Sequence, residues 1–267
     1  LTTLPSVSSL RALRSFAKAS RAGRPFLGIG DPLLEGHPGA SRGIPLKKIF
    51  RPQGVADTKA VRTLPALPET ADELTAMAQV LGGDGAGLLL RENATESRIR
   101  QTDMSQYRVV TFATHGLVAG ELGGVAEPGL ILTPPSKGTK ADDGVLTASE
   151  VARLKLNADL VILSACNTAA ADGTPGAEGL SGLAKAFFYA GSRALVVSHW
   201  PVASDATVRL TTHMLAETAR DPRIRRAEAL QRSMLAMMSD AKNPHLAHPM
   251  FWAPFVVVGE GGVAGPN

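Results

Sequence analysis

His115 and Cys166 are the two side chains of this sequence whose types and spacing could produce a nucleophile. Cys166 is the only cysteine in 267 residues. A thiol becomes a strong nucleophile when a neighbouring imidazole takes its proton or holds it as a thiolate-imidazolium pair. Each residue closes an apolar run: Tyr107-Arg108-Val109-Val110-Thr111-Phe112-Ala113-Thr114 leads into His115-Gly116, and Asp159-Leu160-Val161-Ile162-Leu163-Ser164-Ala165 leads into Cys166-Asn167-Thr168. Such runs, bounded by small turn residues, suit strands buried on both faces of a parallel sheet. If the two strands are close parallel neighbours, His115 and Cys166 emerge at one C-terminal edge, where open α/β sheets place their sites. Without such a partner, a lone cysteine is more often a small buried hydrophobe.

Histidine comes first and cysteine about 50 residues later, the order and gap of caspases. Ala113-Thr114-His115-Gly116, Leu163-Ser164-Ala165-Cys166-Asn167-Thr168, Glu178-Gly179-Leu180, Ala186-Phe187-Phe188-Tyr189-Ala190-Gly191 and Ser198-His199-Trp200-Pro201-Val202 together resemble the signature of CHAT domains. These are caspase- and separase-like cysteine peptidases often found beside tetratricopeptide repeats. His248-Pro249-Met250-Phe251-Trp252-Ala253-Pro254-Phe255 is similar to the family's last strand. The resemblance runs from about Pro25 to Gly259. It implies that Cys166 attacks a peptide carbonyl and that His115 activates it and then protonates the leaving amine. It further implies an oxyanion hole built from the backbone amides of Gly116 and Cys166. No third side chain that would orient the imidazole is visible, as in a dyad.

Substrate preference has several candidate determinants. Asp31 ends the first strand and Asp205 follows the strand after Cys166. Either could place a carboxylate at the base of a pocket for a substrate Arg or Lys, as related separases and metacaspases do. The competing readings are that Asp31 stabilises a turn before Pro32 and that Asp205 caps a helix. Ser164 stands two residues before Cys166, where some basic-specific relatives place an acid, which argues against a basic preference. Ser198, His199 and Trp200 fall in the motif that would border the substrate groove, although His199 and Trp200 could equally be packing residues.

A net charge of +4 with scattered basic residues not interleaved with aromatics argues against a nucleic-acid platform. No apolar run approaches a membrane span, and the N-terminus lacks the apolar core of a signal peptide. One cysteine suits a reducing compartment, so a cytoplasmic protein is expected. His213, His245 and His248 have no ligand partners at useful spacing, so neither a metal nor another cofactor is expected. The chain starts at Leu1 instead of methionine, which, with the repeats usual upstream in the family, points to an excised catalytic region. The expected partners are a protein or peptide substrate and a tetratricopeptide-repeat or regulatory region.

The elements that must position these residues can be read in order. Ser6 to Ser20 reads as an amphipathic helix, and residues 1–24 as a segment that could join an upstream domain. Residues 25–267 read as one domain. Its strands are Pro25–Pro32, Gly87–Leu90, Tyr107–Thr114, Gly129–Thr133, Asp159–Leu163, Ala194–Ser198 and an edge strand at Phe255–Val258. Leu34 to Leu64 reads as a basic loop, either exposed or a site of self-cleavage. Capping patterns at Thr70–Glu73 and Thr147–Glu150 open helices, Asn93 caps another, and helices span Leu180–Ala190, Ala206–Arg220 and about Arg225–Ser239. Alternating strands and helices predict right-handed βαβ units. The expected fold is α/β: a caspase-like three-layer sandwich with a mostly parallel central sheet flanked by helices and a small hairpin inserted after His115. The expected function is a cysteine endopeptidase, possible cleavage being after Arg or Lys; the alternative is a catalytically silent interaction module that keeps the fold.

Overall fold

The computed structural model describes residues 2–3, 22–38, 55–117, 127–165, 182–200 and 203–260. The predicted helix at Ser6–Ser20, residues 39–54 of the basic loop, residues 118–126, and residues 166–181 with Cys166 lie outside the described residues.

Val, Ile, Leu and Phe dominate the runs at 107–113, 160–163 and 194–198, and residues of this kind favour a pleated, fully covered sheet. They form β4 (Tyr107–Ala113), β8 (Leu160–Leu163) and β9 (Ala194–Ser198). With β1 (Thr2–Thr3), β2 (Arg24–Pro32), β3 (Leu88–Arg91) and β10 (Phe255–Gly259) they make a seven-stranded sheet in the order β1-β10-β9-β8-β4-β2-β3. All pairings are parallel except β10 against β9. The strand at 255–259 was expected at the edge, but Thr2 and Thr3 pair with Val257 and Val258 outside it.

Alternate residues of the central strands enter two cores. Val110, Phe112, Val161 and Leu163 join one, beneath α3 (Glu96–Gln101), α4 (Ala148–Val151) and α5 (Gly182–Tyr189). Leu160, Ile162, Val196 and Ala113 join the other, beneath α2 (Glu69–Val80), α6 (Ser204–Arg220) and α7 (Arg226–Met238). The two faces with their helices give the three layers expected from the sequence. Phe112 and Phe187 meet at 5.3 Å between ring centroids, a tilted contact worth about 0.5–1.5 kcal/mol beyond burial.

The inserted hairpin is also present. β5 (Gly116–Leu117), β6 (Gly129–Ile131) and β7 (Val145–Thr147) form a small antiparallel sheet. Together with Leu34, Ala56, Val61 and Leu64 it builds a third apolar cluster. Part of that cluster comes from α1 (Thr58–Arg62), a short helix inside the segment read as loop, capped by the Asp57 side chain. Its single turn owes more to packing than to periodicity.

Three predicted caps fall elsewhere. Thr70 lies inside α2, which starts at Glu69 without a side-chain cap; its hydroxyl accepts from Asp31 N at 2.8 Å and donates to Leu67 O at 2.8 Å. Thr95, not Asn93, caps α3. Ala203 precedes α6, so Asp205 lies in the first turn and is not its cap. The Thr147/Glu150 capping box is present.

The hairpin loop is tied to the body by a buried acid. Glu96, 1% exposed, accepts from the backbone N–H of Asp143 and Gly144 at 2.8 and 2.9 Å and from Arg100 at 3.2 Å. Burial pushes its carboxyl up to about 8, against the pull of those backbone donors. The folded chain therefore holds a proton there that the unfolded chain, titrating near 4.3, has lost. The associated stability is complete below about pH 4.3 and is lost as pH rises through about 8. Urea unfolding midpoints measured from pH 4 to pH 8.5 are expected to fall less steeply across this window for Glu96→Gln than for the wild type; parallel curves would contradict this assignment.

Candidate active site

His115 sits where β4 leaves the main sheet and the hairpin begins. Thr114 turns that corner with its hydroxyl donating to Ile131 O at 2.6 Å, and Ile131 N donates to His115 O at 2.9 Å. The histidine is fully buried, and its Nε2 lies 2.7 Å from the carbonyl oxygen of Pro65. A carbonyl can only accept, so Nε2 carries the hydrogen. In the neutral ring Nδ1 then holds the lone pair, as a general base must. This orienting group was missed by sequence reading, because a backbone carbonyl has no side-chain signature and Pro65 lies 50 residues away.

The same hydrogen bond clarifies Gly116. Donation from Ile131 N to His115 O makes Gly116 and Leu130 a non-hydrogen-bonded pair of the β5-β6 ladder. The Gly116 N–H therefore points away from β6 and stays outside that ladder.

Cys166 lies outside the described residues, but its approach is described as far as Ala165. Phe112 of β4 stands opposite Leu163 of β8, so the two strands end together at one edge. Ser164 N donates to Phe112 O at 2.9 Å, extending the ladder by one residue. The Ser164 hydroxyl donates to Glu73 Oε1 at 2.7 Å, and Thr211 Oγ1 is 3.3 Å from the same oxygen. From the other side, the Ser198 hydroxyl donates to Ala165 O at 2.9 Å. Both serines are buried, and their hydroxyls anchor the chain at Ser164 and Ala165. Glu73, fully buried on α2, brings a carboxylate against Ser164, the position noted in the sequence for lacking an acid. Its helical position next to Leu74 and Met77 gave no hint of this.

Asp31 is the penultimate residue of β2, whose Gly30 pairs with Ala113 of β4, and so stands at the same edge. Its backbone is left-handed at φ 43°, held by Thr70, and it is 5% exposed. Burial raises its carboxyl above the usual aspartate value, while Arg91, at 3.6 Å, pulls it back. Along the edge the order is Asp31, His115, Ala165, Ser198, at or just beyond the C-terminal ends of β2, β4, β8 and β9. His199 is half-buried just beyond β9, with its N–H donated to Pro254 O. Trp200 is 41% exposed, its indole N–H directed at Met250 O at 3.4 Å. Asp205 is exposed in the first turn of α6.

Such an edge can hold a base of fixed tautomer beside a strand that delivers a thiol, with a buried carboxylate two strands from the thiol. Comparison with known proteins fits this geometry. The CHAT domain family model matches residues 1–260. Tetratricopeptide repeat protein 28 of Mus musculus is 26% identical over 227 residues, an alignment that covers 72% of this chain and 8% of that protein. Among solved structures, the Arg-specific cysteine proteinase gingipain R superposes with a TM-score of 0.54 at 12% identity, over 97% of this chain and 52% of that one. The complex of RgpB pro- and mature domains from Porphyromonas gingivalis gives 0.53 at 12% identity, over 97% and 53%. The chain thus spans about half of each proteinase chain, and at this identity the likeness is one of fold.

Removing a donor from a buried acceptor costs about 1–3 kcal/mol. Ser164→Ala is expected to lower the unfolding free energy by about that amount in urea titrations, because it strips a donor from Glu73. A change within about 0.5 kcal/mol, typical of an exposed position, would show that the Glu73 contact carries no weight.

Proposed function

We propose, on the premise that the chain belongs to the CHAT domain family, that it is a cysteine endopeptidase acting through a His115/Cys166 dyad. The observation that carries the proposal is the Nε2–H bond to Pro65, which leaves Nδ1 as the base at the edge where β8 leads to Cys166. In this reading Nδ1 takes the thiol proton and the thiolate attacks the scissile carbonyl carbon. The oxyanion is met by the N–H groups of Gly116 and Cys166. Collapse of the intermediate breaks the C–N bond, and the proton on Nδ1 passes to the leaving amine. Water, deprotonated by the same Nδ1, then hydrolyses the thioester and frees the thiol.

The preferred substrate has Arg or Lys before the cut, received by Asp31. Its burial and its ion pair with Arg91 at 3.6 Å support that role, since a substrate guanidinium could replace a partner that is itself half in solvent. Asp205, exposed and outside the sheet, is the weaker candidate. His199 and Trp200 would line the groove beyond β9, while Ser164 and Ser198 shape it through the chain they anchor. Residues 25–267 would act as one peptidase domain, with residues 1–24 leading from a tetratricopeptide-repeat or regulatory region, in a reducing compartment such as the cytoplasm. The competing reading, a catalytically silent interaction module, is favoured by the relative named for its repeats.

Cleavage of a positional-scanning fluorogenic peptide library decides between them. The wild type is expected to cut after Arg or Lys, Cys166→Ala to be inactive, and His115→Ala to lose about 10²–10⁴-fold in kcat/KM. Asp31→Ala is expected to lose the basic preference. Activity that survives in Cys166→Ala would refute the dyad, and a wild type silent with its repeat region present would favour the interaction module.

A further inference from the structure

We infer that Gly36 is a positioning residue for His115, acting through the Pro65 carbonyl; the inference rests on the peptidase reading above. After Asp31 the chain runs along the hairpin, with Leu33 N donating to Thr133 Oγ1 at 2.9 Å and Glu35 N to Arg62 O at 2.7 Å. At Gly36 it forms an isolated parallel bridge with Pro65. Gly36 N donates to Leu64 O at 3.0 Å, and Ala66 N donates to Gly36 O at 3.0 Å. These two bonds straddle Pro65, and the second fixes its carbonyl. A trans peptide unit is planar, with C=O and N–H pointing opposite ways. With the Ala66 N–H tied to Gly36, the Pro65 C=O of the same unit is aimed away from Gly36, and His115 Nε2 meets it at 2.7 Å.

Only glycine allows so close an approach. A Cβ at position 36 would lie 2.5 Å from Thr63 O, 2.6 Å from Leu64 O and 2.7 Å from Leu64 C, all of them backbone atoms. The φ of Gly36 is outside the left-handed region, so alanine is excluded by space and not by conformation. Gly36→Ala must therefore push the 63–65 backbone, and with it the carbonyl that His115 uses. Losing that acceptor removes a hydrogen bond that favours the imidazolium. It also frees the neutral ring to place its hydrogen on Nδ1, where the base is needed.

The test compares wild type, Gly36→Ala and Gly23→Ala, the last at a glycine whose added Cβ would meet nothing within 4 Å. Nitrogen-15 spectra of the histidine rings report the tautomer, and iodoacetamide alkylation of Cys166 against pH reports the thiolate. Neither readout needs a peptide substrate. In the wild type we expect Nε2-protonated His115 and an alkylation midpoint below the free-thiol value of about 8.5. In Gly36→Ala we expect mixed tautomers, a midpoint moved up by about one unit, and a kcat about ten- to a hundred-fold lower with KM little changed, the scale of a lost hydrogen bond to a charged group. Gly23→Ala is expected to match the wild type. A folded Gly36→Ala with wild-type spectra and alkylation would overturn the inference, as would an Nδ1-protonated ring in the wild type, a result obtainable even if the variant fails to fold. A wild type that keeps Nε2–H but alkylates like a free thiol would refute the dyad and leave the Gly36 contact supported by the tautomer shift alone.

Discussion

The parallel ladder between β4 and β8, with Phe112 opposite Leu163, determines which residues meet at the C-terminal edge of the sheet. Val110 and Phe112 fill one core, while Ala113 and Leu160 fill the other. A slip of one residue would exchange the faces and drive Phe112 into space occupied by smaller neighbours. The apolar packing that stabilises the sheet thus also fixes the register, and the register brings the end of β4 and the approach to Cys166 to the same edge. Asp31 and Ser198 arrive there for the same reason, because β2 and β9 pair on either side.

Apolar packing alone would leave this edge loosely defined, since strand ends expose unpaired backbone groups. Here polar side chains take them up: Thr114 on Ile131 O, Ser198 on Ala165 O, Thr70 on Asp31 N. Glu73 adds a buried carboxyl that meets Ser164, just past β8, and Thr211 of α6. Buried polar groups with defined partners are costly to disturb, so they hold this edge in one arrangement. Asp31 stands apart, buried with a left-handed backbone and, among the described residues, a loose ion pair with Arg91. Strain and incomplete pairing of this kind tend to collect where a ligand completes the site.

How much was legible varies with the range of the interaction. The strands at 24–32, 107–113, 160–163 and 194–198 follow from runs of apolar and β-branched residues, and the capping box at Thr147 from residues three apart. The parallel architecture and the hairpin followed from element order. Thr95 and Asn93 both offered local caps, and Thr95, accepting from Arg98 N three residues on, is the one used; the recruitment of Thr70 by Asp31 and the outer strand at Thr2–Thr3 were not legible, because each depends on a partner distant in the chain. The short helix at 58–62 owes its place to the third apolar cluster.

The site divides along the same line. His115, Gly116 and Asp31 could be marked from residue type and from their places at strand ends, and the order of elements was enough to predict a shared edge. The sequence by itself determined which residues carry ionisable or nucleophilic groups and which periodicity buries their neighbours, since both are properties of side chains and short range. Only the tertiary structure decided that Pro65 orients the imidazole, that Gly36 leaves room for it, and that Glu73 stands against Ser164. Those roles belong to backbone carbonyls, to the absence of a Cβ and to contacts across as many as 91 residues, none of which leaves a pattern in residue type or spacing.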